Sequence, residues 1–142
     1  MTDLYIPVRK RTIIVVDDNP DLVEIVRLML EAKGFNVRCA YSGPQLFASL
    51  EAEKPDLILL DVMMPEMDGL HVLAQLQWNP GTSSIPVILL TAKVLREDIE
   101  LGYKMGTDQY IKKPFDSTQL MTSVNRLLGL PDTPPSQPIA SS

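Results

Sequence analysis

Three short runs in this chain are apolar from end to end: Ile13-Ile14-Val15-Val16, Leu57-Ile58-Leu59-Leu60 and Val87-Ile88-Leu89-Leu90. A strand with one wet face alternates apolar and polar residues, so an unbroken run of four marks a strand covered on both faces. Amphipathic helical patterns lie between these runs. Strands alternating with helices commit the chain to an α/β architecture with a parallel sheet between two helical layers.

Local signals place the remaining elements. Asn19 can cap a helix that has Pro20 in its first position, with Leu22, Val26 and Met29 at helical spacing and Gly34 at its end. Residues 36–40 read as a second strand. A helix starts at Ser42 or Gly43, carries Leu46, Phe47 and Leu50, and is shut off by Pro55. The third strand spans residues 56–60. The third helix runs from Gly69 to Gln77 with Leu70, Leu73 and Leu76 inward, and Trp78 is expected to shield its end. A fourth, weaker helix is expected over residues 96–104, with Leu95, Ile99 and Tyr103 as its apolar line. The fifth strand is Gln109-Tyr110-Ile111. Ser117 is expected to cap a last helix striped by Leu120, Val124, Leu127 and Leu128. The outcome is a single five-stranded, doubly wound domain with five helices.

Each apolar run ends in a functional group. The first runs into Asp17-Asp18, the third strand into Asp61 and the fourth into Thr91, while the fifth leads to Lys112-Lys113-Pro114. In open parallel sheets, ligands sit outside the carboxyl ends of the strands. Carboxylates crowded there need a compensating cation, and oxygen donors alone favour magnesium. Such a cation would screen Asp61 so that a phosphoryl donor can approach. Thr91 can donate a hydrogen bond to one phosphoryl oxygen, and Lys113 supplies a compact positive charge to another.

The segments Ile-Val-Val-Asp-Asp-Asn-Pro, Leu-Ile-Leu-Leu-Asp-Val-Met-Met-Pro-Glu-Met-Asp-Gly, Pro-Val-Ile-Leu-Leu-Thr-Ala and Ile-Lys-Lys-Pro-Phe resemble those of the receiver domain of two-component response regulators. The resemblance runs from about Thr12 to Leu128. It implies a flavodoxin-like sheet of order 2-1-3-4-5 and a phosphorylation-activated switch. Asp61 would accept a phosphoryl group from a histidine kinase or a histidine phosphotransfer protein. Asp18 would bind Mg2+ directly and Asp17 mainly through water, with Asp61 and the backbone carbonyl of Met63 completing the metal site. Lys113 would pair with the acceptor, aimed inward by a cis bond before Pro114. Thr91 and Tyr110 would be the switch pair, altering a face built from the helix at 96–104, the fifth strand and the last helix. That face would then control a partner, a missing output domain or a homodimer. Met63 and Lys93 match positions that tune dephosphorylation, and neither suits fast self-dephosphorylation. The domain would catalyse only its own phosphorylation and slow dephosphorylation, and is not expected to be an enzyme acting on an external substrate.

Composition narrows the partners. A net charge of −5 argues against direct contact with nucleic acid, which needs a clustered basic surface. The one basic cluster is Arg9-Lys10-Arg11. No apolar stretch reaches the roughly 20 residues that span a bilayer, no signal peptide is evident, and Cys39 is the lone cysteine, so a cytoplasmic protein is expected. His71 reads as a surface residue. Residues 1–11 form a leader, 12–130 the receiver domain, and 131–142 a proline-rich tail or linker stub. A stand-alone regulator is favoured over a piece of a larger one.

Three other readings compete. A phosphohydrolase of the haloacid dehalogenase type would place its Asp-x-Asp nucleophile after the first strand, whereas Asp61 follows the third. A flavin-binding domain would need a phosphate-binding loop where Asp-Asp-Asn-Pro stands. A phosphorylation-independent interaction domain would not need its acids, Thr91 and Lys113 intact.

Overall fold

A computed structural model describes residues 10–62, 68–92, 100, 104 and 107–131 of the 142-residue chain. Its strands are β1 (Thr12–Val16), β2 (Asn36–Ala40), β3 (Leu57–Asp61), β4 (Val87–Thr91) and β5 (Gln109–Lys112). Helices α1 (Pro20–Glu31), α2 (Gly43–Ala52), α3 (Gly69–Trp78) and a C-terminal helix (Ser117–Leu128) connect or follow them. The strands form one sheet in the order β2-β1-β3-β4-β5, and every pair is parallel. The fold class and strand order are those expected. The helix expected over 96–104 lies, apart from Glu100 and Lys104, outside the described residues.

The apolar runs are buried on both faces, and strand alternation splits them between two cores. Ile14, Val16, Ile58, Leu60, Val87 and Leu89 pack with Leu46 and Leu50 of α2 and with Leu70, Leu73 and Leu76 of α3. Ile13, Val15, Leu57, Leu59, Ile88 and Leu90 pack with Val23, Val26 and Leu30 of α1 and with Leu120, Met121 and Val124 of the C-terminal helix. Successive residues on a strand point to opposite faces, so each four-residue run supplies two side chains to each core.

Several local expectations change. The buried line of α1 is Val23, Val26 and Leu30, the i, i+3, i+7 row centred on the sheet; Leu22 and Met29 lie on its half-buried flank. Trp78 does not shield the end of α3, being 87% exposed. Two residues beyond buried Leu76 it stands about 200° around the helix, on the opposite face. The C-terminal helix is capped by Asp116, not Ser117. Asp116 accepts from Gln119 N–H at 2.8 Å while the Gln119 amide oxygen accepts from Asp116 N–H at 2.9 Å. Ser117 has Leu120 at the third position onward and so cannot form that reciprocal box. Asn19 and Ser42 cap α1 and α2.

At the N-terminal edge of the sheet, two acids tie neighbouring strands. Thr12 N–H donates to Asp56 Oδ2 at 2.8 Å and Asp56 N–H returns to Thr12 O at 2.7 Å. Val87 N–H donates to Asp108 Oδ2 and Asp108 N–H to Val87 O, both at 3.0 Å. Asp56 therefore stands just outside β3, which starts one residue later than expected. Replacing either acid with Ala strands a backbone N–H beside the core. Asp56→Ala and Asp108→Ala should each destabilise the fold by about 1–3 kcal/mol, read in urea as a lower midpoint with an unchanged slope.

Candidate functional site

The site lies at the C-terminal edge of the sheet, where register brings separate segments together. Val16 pairs with Leu60, so Asp17, one residue further on, is level with Asp61. Lys112 pairs with Thr91, and Lys113 N–H continues the ladder to Thr91 O at 2.7 Å. The Lys113–Pro114 bond is cis. Carboxylate oxygens of Asp17, Asp18 and Asp61 all lie within 4.8 Å of one another.

Burial differs sharply among these groups. Asp17 is 1% and Asp61 2% exposed, whereas Asp18 is exposed. Two buried like charges need a cation, and Lys113 provides one. Its Nζ donates to Asp17 Oδ2 at 2.8 Å and to Asp61 Oδ1 at 3.2 Å. Burial alone would lower the Lys113 pKa. The hydrogen bond to Asp17 and the charges of Asp61 and Asp17 outweigh it and hold the ammonium above its ordinary value. Asp17 also accepts from Asn19 N–H through Oδ1 at 3.0 Å, which links it to the cap of α1.

Strand alternation sorts the remaining residues. Asp17 follows Ile13 and Val15, and Asp61 follows Leu57 and Leu59, so both continue the rows that face α1 and the C-terminal helix. Thr91 continues the row of Val87 and Leu89, which faces α2 and α3, and half-buried Tyr110 packs against that same core. The structure thus brings Asp17, Asp18, Asp61 and Lys113 together, with Thr91 at the end of the adjacent strand. Met63 and Lys93 lie outside the described residues.

The sequence reading missed the close approach of α3. Asp68 caps this helix by accepting from Leu70 N–H at 2.9 Å, and Gly69 N–H donates to Val62 O at 2.9 Å. A Cβ on Gly69 would stand 2.3 Å from the backbone oxygen of Asp61 and 2.7 Å from Val62 Cα. Only glycine lets the helix start against the strand that carries Asp61. An Asp-Gly pair directly after a strand loop was the available signal.

A family described as "Response regulator receiver domain" matches residues 13–125. The chain belongs to that family. The receiver domain is 42% identical over 118 residues to the probable transcriptional regulatory protein TcrX of Mycobacterium tuberculosis, covering 82% of this chain and 49% of that protein. It spans about half the length of the curated relatives it matches. The chemotaxis protein CheY4 of Vibrio cholerae shares its fold, with a TM-score of 0.80 at 24% identity over 84% of this chain and 99% of that one. The receiver domain of sensor histidine kinase PA1611 from Pseudomonas aeruginosa is 30% identical with a TM-score of 0.77, over 85% of this chain and 99% of that one. In that structure a magnesium ion is coordinated in the active site cleft. This receiver domain is a two-component signalling module, and no helix among its described residues is long and apolar enough to cross a membrane.

Its acidic cluster fits a hard divalent cation on chemical grounds. The donors are all carboxylate oxygens, and the exposed one, Asp18, opens to solvent and leaves room for the waters such ions retain. Gly69→Ala should overpack the end of β3, lowering stability by about 1–3 kcal/mol. Amide resonances of Asp61 and Val62 should shift in the NMR spectrum; unchanged resonances and stability would overturn the close seat of α3 on β3.

Proposed function

We propose that this receiver accepts a phosphoryl group on Asp61 and uses it to change the surface around β5 and the C-terminal helix. The observation that carries the reading is the bridge of Lys113 between buried Asp17 and Asp61. It places a positive charge beside Asp61, the buried carboxylate that is the last residue of β3. Asp18 and Asp61 would hold Mg2+ directly, with Asp17, already engaged by Lys113 and Asn19, acting mainly through water and the carbonyl of Met63 completing the set. When bound, the ion supplies charge neutralisation for the phosphoryl oxygens and the acceptor.

The chemistry of the residues themselves follows from their positions. An Asp61 oxygen attacks the phosphorus of a phosphohistidine. The P–N bond breaks, its electron pair stays on the imidazole, and an acyl phosphate forms. Lys113 holds its positive charge against the transferred oxygens, and the Thr91 hydroxyl donates to one of them. Drawing Thr91 toward the phosphoryl group would open space on the α2–α3 side of the sheet, and Tyr110, packed on that core, would turn into it. The donor would come from a histidine kinase or a histidine phosphotransfer protein.

Beside the site, α1 offers a surface for such a donor. Ile25 and Leu28 are 50% and 54% exposed, and a groove of about 480 Å³ runs from Leu22, Ile25 and Met29 to Pro114 and Phe115. An apolar strip leading to the acceptor would seat a donor helix by its own apolar face. The receiver would perform one transfer per charge rather than turn over an external substrate.

Intact mass after incubation with magnesium and acetyl phosphate tests the reading. One phosphoryl adduct is expected on the native protein and none on Asp61→Asn or after chelation. Lys113→Ala should load about ten- to a thousandfold more slowly through lost electrostatic stabilisation. An adduct that persists in Asp61→Asn would overturn the assignment. So would no adduct on the native protein under conditions that load an established receiver.

A further inference from the structure

Trp78 is the chain's one tryptophan, and it stands 87% exposed at the end of α3. The turn that carries it is nonetheless firmly built. Thr82 Oγ1 donates to Leu76 O at 2.7 Å, and the N–H groups of Thr82 and Ser83 both donate to Asn79 O at 2.9 Å. Gly81 N–H donates to Asn79 Oδ1 at 2.8 Å. A Cβ on Gly81 would lie 3.5 Å from Lys54 Nζ, so the residues after α2 meet this turn. An indole can bury about 150–250 Å², and here it is held in water on a well-bonded support.

We propose that the chain's own leading segment docks on this ring, with Leu4, Ile6 and Val8 laid over Trp78 and Arg9 and Lys10 beside Glu51 and Glu53. Leu4-Tyr5-Ile6-Pro7-Val8 is an apolar run ahead of the first strand. Pro7 biases Ile6 toward extended backbone, which sets Leu4, Ile6 and Val8 on one side of the segment. The segment leaves the sheet close to the turn. Thr12 exchanges two hydrogen bonds with Asp56, which follows Lys54 by two residues. Arg11 continues the row of Ile13 and reaches Leu128 O at 3.4 Å, on the side of α1 and the C-terminal helix. Alternation then turns Lys10 toward α2 and α3, where exposed Glu51 and Glu53 close α2 with charge of the opposite sign. Residues 4–11 extended span roughly 26 Å, about twice the width of the helix they must pass.

Other occupants fit less well. The segment at 131–142 follows Leu130, which packs in the core beneath α1 and the C-terminal helix, so the sheet stands between that exit and Trp78. Apart from its prolines it carries one large apolar residue, Ile139. A second copy finds little to hold. The other large exposed apolar side chains among the described residues are Ile25 and Leu28, on α1 across the sheet, and Tyr41, at the opposite edge. Trp78 therefore belongs to no patch of the size that a stable dimer buries. The inference goes beyond the phosphorylation reading and does not rest on it.

Because Trp78 is the sole tryptophan, fluorescence of the full chain reports this contact alone. Acrylamide should quench it about threefold less than in the variant Leu4→Ser/Ile6→Ser/Val8→Ser, whose emission should also move to the red. Glu51→Lys combined with Glu53→Lys should raise quenching part of the way. Nuclear Overhauser contacts should join the Trp78 indole to methyl groups of Leu4 and Ile6. Trypsin, cutting after Arg9, Lys10 or Arg11, should release the segment at least about fivefold faster from Trp78→Ala and from the triple serine variant. Neither variant touches the core, so the amide spectrum of the five strands should stay in place. Equal quenching of the native and triple serine chains overturns the proposal. So do contacts of the indole with residues 134–139 instead, quenching that changes with protein concentration, or cleavage indifferent to Trp78→Ala.

Discussion

Asp17 and Asp61 are buried side by side at the C-terminal edge of the sheet, and two carboxylates shut off from water together call for a cation close by. Among the described residues Lys113 supplies one, bonding both carboxylates. Leaving a buried charge uncompensated is destabilising by about 3–5 kcal/mol, a large fraction of a domain's net stability. The bridge spans three segments that are remote in sequence: the end of β1, the end of β3 and the residue after β5. Only a parallel sheet, with all its C-terminal strand ends on one edge, brings those three together without long loops. The same arrangement leaves Asp18 exposed beside the pair, where a hard cation can reach oxygen donors from solvent. A tethered monovalent ammonium and a divalent ion would therefore share the work of neutralising Asp17 and Asp61.

The pleat of the strands adds a second level of order. Asp17 and Asp61 continue the rows that face α1 and the C-terminal helix, whereas Thr91 continues the row that faces α2 and α3, where Tyr110 also packs. Charge is thus neutralised on one side of the sheet and packing is held on the other. A phosphoryl group on Asp61 would sit between the two, close to Lys113 and within reach of Thr91. Under the proposed function, a change in charge at one face becomes a change in packing at the other through a single strand end. Cores are bistable rather than continuously deformable, so an aromatic residue such as Tyr110 suits that conversion.

The sheet was legible because uninterrupted apolar runs admit few alternatives, and the residues closing those runs marked the site. Pairings set by three-dimensional closeness were not legible. The run Lys112-Lys113-Pro114 names the amine, but the shorter of its two bonds is to Asp17 rather than to the expected acceptor, and this follows from a register that no local pattern encodes. The capping of the last helix could have been read, since Asp116 and Gln119 stand three apart; the nearer Ser117 drew the assignment. Gly69 looked like a helix start, and its closer constraint, a helix seated on the backbone of Asp61, appears only when β3 and α3 are placed together. Trp78 shows the opposite error. A large apolar side chain at a helix end suggests cover, yet its angle around α3 turns it to solvent.

Pro114 lines both grooves that flank the site. On the α1 side it meets an apolar strip of Leu22, Ile25, Met29 and Phe115; on the β5 side it meets hydroxyls, amides and the cations of Lys112 and Arg126. The two surfaces are separated by one loop, and that loop carries Lys113. A donor seated on the α1 side and a target on the β5 side would occupy different grooves. They would still be coupled, because any shift of Lys113 on phosphorylation of Asp61 moves the wall common to both. Under the proposed function, two grooves with a shared wall would let one small domain receive a signal on one side and present it on the other.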